Sequence, residues 1–310
     1  MRIVVCLPDQ TLALRDNEGL QAACYRVSTS RNGPGERSGS FCTPRGAHVI
    51  RAKIGAGAPA NTVFVRRRPT GEVWSRELAE GFPGRDWILT RILWLSGKRP
   101  GFNRLGEVDT MRRYVYLHGS PDSVPMGVPG SIGCVRMRNG DIIDLFDRVP
   151  TLTRVDIDDF RVRTGAWNES IEQAWPLREQ VFVREQGVPI ELEWDEHDER
   201  SRHALATATG GKVLGTARLL PDGHIGRMAV LPEVRGQGVG RALLDALTDA
   251  AANAGHATLR LNAQAHAAGF YRRFGFVPEG DGFMEAGIPH QAMIKHLRRA
   301  ERRMPVAQSA

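Results

Sequence analysis

The sequence contains few cysteines, and their placement excludes several kinds of site. Only four occur in 310 residues, at positions 6, 24, 42 and 134. They have neither the CxxC spacing typical of zinc sites nor the density of a disulfide scaffold, so we expect reduced thiols and no bound metal. Tyrosine is as scarce, with four residues, and basic residues do not alternate with aromatic ones. The chain therefore lacks the stacking surface typical of nucleic-acid-binding proteins, and no nucleic-acid partner is expected.

Long apolar runs are also missing from the sequence. None approaches the length of a membrane span, and the first run, residues 3–7, is shorter than the core of a signal peptide. We therefore expect a cytoplasmic protein with no membrane partner. The composition that remains, 41% hydrophobic and 25% charged, is globular, and the chain is long enough for two domains.

The net charge of +7 is concentrated in the first half of the chain. Residues 1–155 hold 23 Lys and Arg against 14 Asp and Glu, whereas the remainder holds 19 against 21. A basic surface attracts anions, and without signs of nucleic-acid binding the pattern favours a small anionic substrate. A solvated arginine-rich surface is the alternative explanation.

The stretch of residues 114–137 brings one histidine and one cysteine to either side of a loop. Alternating aromatic and apolar residues predict a strand that ends at His118, and repeated Pro and Gly then predict a loop that returns at Cys134. A thiolate is the nucleophilic form of cysteine, and a nearby imidazole raises its population at neutral pH. Gly133 leaves neighbouring amides free to approach an oxyanion. The stretch therefore predicts Cys134 as a nucleophile and His118 as its base, against the alternative of a buried core Cys and His.

The same stretch resembles the catalytic motif of the L,D-transpeptidase family, in which a His-Gly pair and a Pro/Gly loop precede Ser-x-Gly-Cys-x-Arg. Residues 42–46 and 87–97 also agree with that family. Ile132 stands where many members carry a second histidine. The matching residues are His118, Gly119, Ser131, Gly133, Cys134 and Arg136.

This resemblance implies a mainly-β, L,D-transpeptidase-like catalytic domain over residues 1–157. Cys134 would attack a peptidoglycan-derived peptide at the amide before a terminal D-residue, with His118 as base and later as acid. Arg136 would hold an anionic group or favour the thiolate, and Ser131 is expected beside the substrate. Arg91 has two interpretations, a contact to a substrate carboxylate or a surface arginine.

The hydrophobic pattern changes near residue 158, where we place the start of a second domain covering residues 158–310. Before this point, short strands are predicted in residues 2–28, 48–54 and 153–157, a helix in 140–146, and either a strand or a buried helix in 87–95. After it, strands alternate with helices. The predicted strands are 160–163, 204–209, 213–219 and 224–230, and the predicted helices are 168–174 and 176–186.

A glycine-rich loop joins the last of these strands to a further helix. The spacing Gly236-x-Gly238-x-Gly240 fits neither the GxGxxG of dinucleotide folds nor the GxxxxGK of a P-loop. The N–H groups of residues 236–241 lie at a helix start, where free amides and the helix dipole attract anions. The loop therefore predicts a phosphate site, with a tight strand-to-helix turn as the alternative.

The loop resembles the acetyl-CoA signature of the GNAT acetyltransferases, Arg/Gln-x-x-Gly-x-Gly, and residues 261–264 and 270–276 resemble a later conserved region of that superfamily. The resemblance implies an α/β domain with a mixed sheet and acetyl-CoA as co-substrate. Tyr271 matches the usual general acid for the departing thiolate, and a packed aromatic residue is the alternative. The implied cofactor-binding residues are Met228, Val230, Arg235, Gly236, Gln237, Gly238, Val239, Gly240, Arg241 and Asn262.

The acetyl acceptor is expected to be an amine of unknown identity. Glu193, Asp195 and Asp198 fit an amine site or a solvated acidic loop, and His290 is a candidate base. The main hypothesis is a two-enzyme fusion, acting as an L,D-transpeptidase with an amine acceptor or as an L,D-carboxypeptidase with water. In the rival hypothesis the first half only senses murein fragments and regulates the acetyltransferase. This hypothesis is motivated by Ile132, which stands where many family members carry histidine.

Overall fold

The computed structural model describes residues 1–297, apart from the side chains of residues 169–171. The strands of the described residues belong to two separate β-sheets, one within Arg2–Asp158 and one within Phe160–His296. The predicted architecture of two sheet-containing domains is therefore confirmed. The first sheet ends and the second begins on either side of Asp159, next to the boundary predicted near 158.

The first sheet contains ten strands and is mainly antiparallel. Parallel pairs join its first strand to its last and join its two short inner strands. The strands are β1 (Arg2–Cys6), β2 (Thr11–Arg15), β3 (Gln21–Arg26), β4 (Gly46–Ile54), β5 (Thr62–Val65), β6 (Arg68–Val73), β7 (Ile88–Gly97), β8 (Tyr116–Gly119), β9 (Val135–Met137) and β10 (Arg154–Asp158). Their order is β3-β2-β1-β10-β4-β7-β5-β6, with β8 on β7 and β9 on β8.

Strand β7 pairs with β8, the strand that carries His118. Its apolar run pairs with β4, β5 and β8, and Leu89, Leu93 and Leu95 are fully buried. Residues 87–95 therefore form a strand and not a helix. A central strand covered on both faces has no polar alternation, which is why periodicity alone left both possibilities open.

Two helices belong to the first half, α1 (Arg76–Gly81) and α2 (Asn139–Arg148), together with a 3₁₀ turn at Gly106–Val108. Helix α2 confirms the amphipathic helix predicted at 140–146. It packs Ile142, Leu145 and Phe146 into the same core as Ile3 and Val5 of β1. Burying such side chains stabilises the domain by about 1.5–3 kcal/mol each.

The second sheet is mixed and confirms an α/β second half. It contains β11 (Phe160–Gly165), β12 (Arg202–Ala208), β13 (Val213–Leu219), β14 (His224–Val230), β15 (Thr258–Gln264), β16 (Val277–Glu285) and β17 (Ile288–His296), in the order β11-β12-β13-β14-β15-β17-β16. Among these described strands only β14 and β15 are parallel, and they pair at just two positions, His224 with Arg260 and Ile225 with Leu261. The two strands separate beyond Ile225, which leaves an opening in the sheet.

Helices cover the second sheet and frame this opening. They are α3 (Trp167–Arg178), α4 (Ile190–Glu193), α5 (His197–Arg200), α6 (Val239–Asn253) and α7 (Ala268–Arg272), with 3₁₀ turns at Pro232–Val234 and Ala265–Ala267. The predicted helices 168–174 and 176–186 form one continuous element, α3 followed by a π-helical segment at Glu179–Glu185. Helix α6 buries Leu243 and Leu247 against the sheet.

Buried ion pairs join the two halves along helix α6. Arg241 of α6 binds Asp158 of β10, and Arg2 of β1 binds Asp245 of α6. Arg15 of β2 makes a second contact to α6, with 2.8 Å between Nη2 and an Asp249 oxygen. Within residues 1–297, no helix is both long and apolar enough to cross a membrane.

Candidate active sites

The first site forms where β8 and β9 run side by side. Their parallel register places His118 opposite Arg136, and Cys134 lies directly before β9. The structure thus brings the predicted nucleophile and base to adjacent strands. A Cβ at Gly119 would lie 2.5 Å from the Asn139 side chain and 2.8 Å from the Leu89 carbonyl, closer than atoms can pack. Glycine after the histidine is therefore required by close packing.

His118 is fully buried and its orientation is fixed. Its Nδ1 lies 2.8 Å from the Gly119 carbonyl oxygen, so Nδ1 carries the proton and Nε2 is the basic nitrogen. Among the described residues, Nε2 is buried without a hydrogen-bond partner. Burial lowers the pKa of His118, which keeps the imidazole neutral near neutral pH. This is the protonation state that a general base needs.

The Cys134 thiol is half-buried and protonated at rest. Burial is the main cause that raises its pKa to about 12, opposed by the Tyr116 N–H and by the charges of Arg136 and Arg113. The Tyr116 N–H donates to Sγ at 3.3 Å, and this bond would strengthen once the sulfur is charged. The thiol itself donates to the Tyr114 carbonyl at 3.6 Å, so the site holds a neutral thiol and a neutral imidazole on neighbouring segments.

Several residues predicted to touch the substrate instead shape the loop around Cys134. Arg136 donates to an Asp86 oxygen at 2.6 Å and to the Gly130 carbonyl at 3.2 Å, so it is not free to hold a substrate carboxylate. Ser131 is buried, and its hydroxyl donates to the Cys134 carbonyl at 2.6 Å and accepts from the Gly133 N–H. The predictions of substrate contact for Arg136 and Ser131 are corrected accordingly.

Arg91 is buried in the domain, which contradicts both of its interpretations. Its Nη1 donates to the carbonyls of Ala58 and Thr90, each at 2.6 Å, and its guanidinium lies 5.6 Å from the Phe146 ring centroid. A buried arginine needs internal acceptors, which these carbonyls provide for Nη1, while Nε has no hydrogen-bond partner among the described residues. Arg91 therefore stabilises the fold and does not contact a substrate.

The second site begins at the loop between β14 and α6. Gly238, the residue before the helix, has φ 99°, a conformation that favours glycine. The first intrahelical bond runs from the Ala242 N–H to the Gly238 carbonyl, so the N–H groups of residues 239–241 precede it. A Cβ at Gly240 would lie within 3.6–3.9 Å of Phe270, Val230 and Met228. These free amides can donate to a pyrophosphate, and the glycines have no side chains that would keep it from the backbone.

A cavity of about 1380 Å³ runs from this loop into the opening between β14 and β15. Most of the predicted cofactor-binding residues line it, namely Met228, Val230, Arg235, Gly236, Gly238, Gly240, Arg241 and Asn262. Val239 is in the hydrophobic core and Gln237 is exposed, with its amide bonded to the Glu233 carbonyl. Val239 can serve only through its main-chain N–H group, whereas the N–H of Gln237 already donates to the Val234 carbonyl at 3.3 Å.

Tyr271 of α7 lies where the two strands separate. Its hydroxyl is 3.3 Å from Met228 Sδ, and its ring packs against Phe276 and Phe270. Burial raises the pKa of Tyr271 to about 12, so the phenol keeps its proton at neutral pH. The position and protonation state suit a proton donor, and the packing shows that the ring is also part of the core.

The two arginines predicted to bind the cofactor already have carboxylate partners. Arg235 makes a bidentate contact of 2.7 Å to Glu185, and Arg241 is buried against Asp158 and Asp245. The guanidinium of Arg241 is therefore committed to structure, whereas that of Arg235 is 44% exposed and can still meet an anion at the loop. Main-chain amides and the dipole of α6 supply the rest of the anion-binding character of the loop.

The acidic residues expected to line an amine site belong to a buried ion-pair network. Glu193 is 1% exposed and pairs with Arg178 at 2.5 Å, while Asp198 pairs with Arg178 and Arg218. Removing one member of such a pair costs roughly 3–5 kcal/mol because it leaves a buried charge alone. The prediction that Glu193 binds substrate is therefore wrong. Asp195 does line the cavity, bonded to Arg218, and so does His290, whose Nδ1 is 2.8 Å from the Ile288 carbonyl.

Comparison with known proteins identifies the family of each domain. Residues 1–157 match the family model of the L,D-transpeptidase catalytic domain, and residues 168–297 match that of the acetyltransferase (GNAT) domain. The chain belongs to both families. It is a fusion of an L,D-transpeptidase catalytic domain with a GNAT domain.

Several relatives of the GNAT domain come from bacteria. An uncharacterized N-acetyltransferase, YjcF of Bacillus subtilis, is 40% identical over 41% of this chain and 93% of its own length. A putative acetyltransferase of the same organism is 38% identical over 41% of this chain and 90% of its own. An acyl-CoA N-acyltransferase structure from Pseudomonas aeruginosa shares 30% identity, covers 44% of this chain and 99% of its own, and has a TM-score of 0.40.

Three groups beside the L,D-transpeptidase thiol were missed by sequence reasoning. Asp86 neutralises Arg136, the Tyr116 N–H contacts the sulfur, and Arg113 donates to the carbonyls of Gly35, Glu36 and Cys42. Arg113 thereby fixes the Gly-rich loop of residues 30–46 over the site. An amide, an aspartate and an arginine with distant partners leave no local pattern, so no sequence signal identifies them.

Proposed function

We propose that the chain is a bifunctional enzyme that cleaves peptidoglycan-derived peptides at Cys134 and transfers an acetyl group from acetyl-CoA to an amine in its second domain. The observation that carries the first activity is the fixed tautomer of His118, whose unprotonated Nε2 is buried in the strand beside Cys134 and has no hydrogen-bond partner among the described residues. The second activity is supported by the loop amides and the glycines of the α6 start.

In the first domain, Nε2 of His118 takes the thiol proton as sulfur attacks the carbonyl before the terminal D-residue. The Tyr116 N–H stabilises the charge on sulfur during this step. Collapse of the tetrahedral intermediate breaks the C–N bond, and His118 returns its proton to the departing amine. The thioester on Cys134 is then released by water, giving a carboxypeptidase, or by an amine, giving a transpeptidase.

In the second domain, the strand ending at Val230 faces the pantetheine arm and the N–H groups of residues 239–241 hold the pyrophosphate. Tyr271 donates its phenolic proton to the sulfur that departs when the acceptor amine attacks the acetyl carbonyl. His290, which lines the same cavity, is the candidate to accept the amine proton. The acceptor and a cytoplasmic location stay predictions.

One incubation tests both activities. The full chain is mixed with a murein tetrapeptide and acetyl-CoA, and the products are identified by mass spectrometry. Loss of the terminal D-residue supports the first activity, and a gain of one acetyl group on an amine supports the second. Unchanged tetrapeptide together with unconsumed acetyl-CoA would contradict the proposal, provided a panel of other amines also fails as acceptor.

The sensor hypothesis has one supporting observation, the exposed Ile132 at a position where the family often has histidine. We expect a carbapenem to acylate Cys134, since the acylation uses the same thiol and base as the peptide reaction. Intact mass of the treated protein is the measurement, and Cys134→Ser is the control. A wild-type protein that stays unmodified would favour the sensor.

For the second domain, we expect Tyr271→Phe to lower acetyl transfer by roughly 10²-fold, the low end for general acid catalysis. Phenylalanine keeps the ring packed against Phe276 and removes only the proton, so acetyl-CoA affinity and melting temperature should barely change. Turnover is measured first as slow acetyl-CoA hydrolysis and then with an amine panel that includes diaminopimelate peptides. A wild-type rate in this variant would show that Tyr271 only packs.

A further inference from the structure

The GNAT cavity is not closed by the GNAT domain alone. Its lining continues past the loop along α6, through Leu244 and Thr248, and ends against the first domain. Arg2 and Arg154 of the first domain form part of that wall, as does the turn that includes Asn17 and Gly19. The transpeptidase domain therefore supplies one side of a cavity whose chemistry belongs to the other domain.

Several polar contacts hold this wall in place. Arg2 binds Asp245 of α6, Arg15 binds Asp249 at 2.8 Å, and Lys295 donates to the Glu18 carbonyl at 2.5 Å. The pairing side chains of Arg2 and Asp245 are only 12% and 6% exposed, so the contact is shielded from solvent and from salt. The first-domain residues are thus a fixed part of the cavity.

The length and charge of CoA indicate what this end of the cavity holds. If the pantetheine arm enters between β14 and β15 and the pyrophosphate lies at the start of α6, the remaining adenosine lies beyond the loop. That adenosine carries a 3′-phosphate, which a cationic side chain would bind through charge-assisted hydrogen bonds. Arg154 lines this end, its side chain is 49% exposed, and its ion-pair partner among the described residues is the carboxylate of Asp156, at 2.9 Å.

Two of the acidic groups at the same end are already engaged. Asp245 accepts from Arg2 and Arg241, and Asp16 accepts the main-chain N–H groups of Glu18 and Leu20, each at 2.9 Å. A phosphate bound to the accessible guanidinium of Arg154 would therefore be repelled less than the number of nearby carboxylates suggests.

We propose that the transpeptidase domain completes the CoA site, with Arg154 binding the adenosine 3′-phosphate. This rests on the proposed acetyltransferase function. It makes acetyl-CoA binding a property of the whole chain, because the residue that recognises the 3′-phosphate is encoded in the other domain.

The test is calorimetry on the full chain with two ligands, CoA and 3′-dephospho-CoA. Losing one charge-assisted contact should weaken CoA binding by about 10-fold in Arg154→Gln and leave 3′-dephospho-CoA binding unchanged. Arg154→Lys keeps the charge and should restore most of the preference for CoA. The matched control is Arg148→Gln, which removes a similarly exposed arginine paired at 2.9 Å with Asp144, outside the cavity lining.

Each result has one meaning. Equal CoA affinity in Arg154→Gln and wild type overturns the assignment, and so does an equal loss for both ligands, since the effect would not involve the 3′-phosphate. A wild-type chain that binds neither ligand overturns the acetyltransferase proposal as well. A melting curve for each variant shows whether lost affinity reflects lost folding. If Arg154→Gln is unfolded, the affinities of Arg154→Lys for both ligands decide whether Arg154 binds the 3′-phosphate.

Discussion

Replacing Cys134 with serine is expected to lower release of the terminal D-residue from a murein tetrapeptide by at least about 10³-fold. The serine hydroxyl fits the same position, but it is a poorer nucleophile and its proton is harder for a neutral imidazole to remove. The measurement is the rate of D-residue release, followed by mass spectrometry or an amino-acid assay. His118→Ala should produce a comparable loss, because the two residues act as one unit.

The control for this experiment is Cys24→Ser, which removes an exposed thiol elsewhere in the first domain. It should keep wild-type turnover. Acetyl-CoA binding should be unchanged in all three variants, because Cys134 and His118 do not line the CoA cavity. Appreciable tetrapeptide cleavage by Cys134→Ser or by His118→Ala would eliminate the proposed mechanism.

The resting state of this pair follows from burial. Burial disfavours charge on both partners, so it raises the pKa of Cys134 to about 12 and lowers the pKa of His118. Both shifts favour the neutral thiol and neutral imidazole over a thiolate–imidazolium pair. The proton must therefore move as the substrate arrives, and the Tyr116 N–H is in place to receive the charge that develops on sulfur.

The parts of the fold that sequence reasoning could predict are those with local causes. The strands flanking the active-site loop, the helix at 140–146 and the strand, glycine loop and helix at 224–253 all follow from short-range patterns, and all are present. His118 and Cys134 could be paired from sequence for the same reason. A strand, a loop and a returning strand are close in the chain and bring their ends together.

Partners of charged residues could not be predicted, because they come from distant segments. Arg136 and Asp86 are 50 residues apart in the chain, Arg178 and Glu193 are 15 apart, and Arg2 and Asp245 are 243 apart. A sequence shows which residues are charged, but not whether a buried residue of opposite charge already pairs with them. For this reason Glu193, Arg91 and the guanidinium of Arg241 were assigned to ligands although the fold uses them.

Introducing an aspartate at Gly238 is expected to weaken acetyl-CoA binding by at least about 10²-fold. Gly238 has φ 99°, which L-residues adopt only with strain, and the residue lies directly before the amides that would hold the pyrophosphate. A carboxylate about 4 Å from a phosphate charge is repelled by on the order of 4 kcal/mol at the effective dielectric of a protein surface. It also competes for the α6 amides, since aspartate is itself a good N-cap.

Two further variants separate these causes. Gly238→Ala introduces the same backbone strain without charge, and no atom lies closer than 3.4 Å to the added methyl, so it should weaken binding by about 10-fold or less. Gly255→Asp places the same charge after the other end of α6, at φ 88° and in open space, and should leave affinity unchanged. Calorimetry with acetyl-CoA is the measurement. Wild-type affinity in Gly238→Asp would mean that the loop is only a turn between β14 and α6, and an equal loss in Gly255→Asp would assign the effect to helix stability.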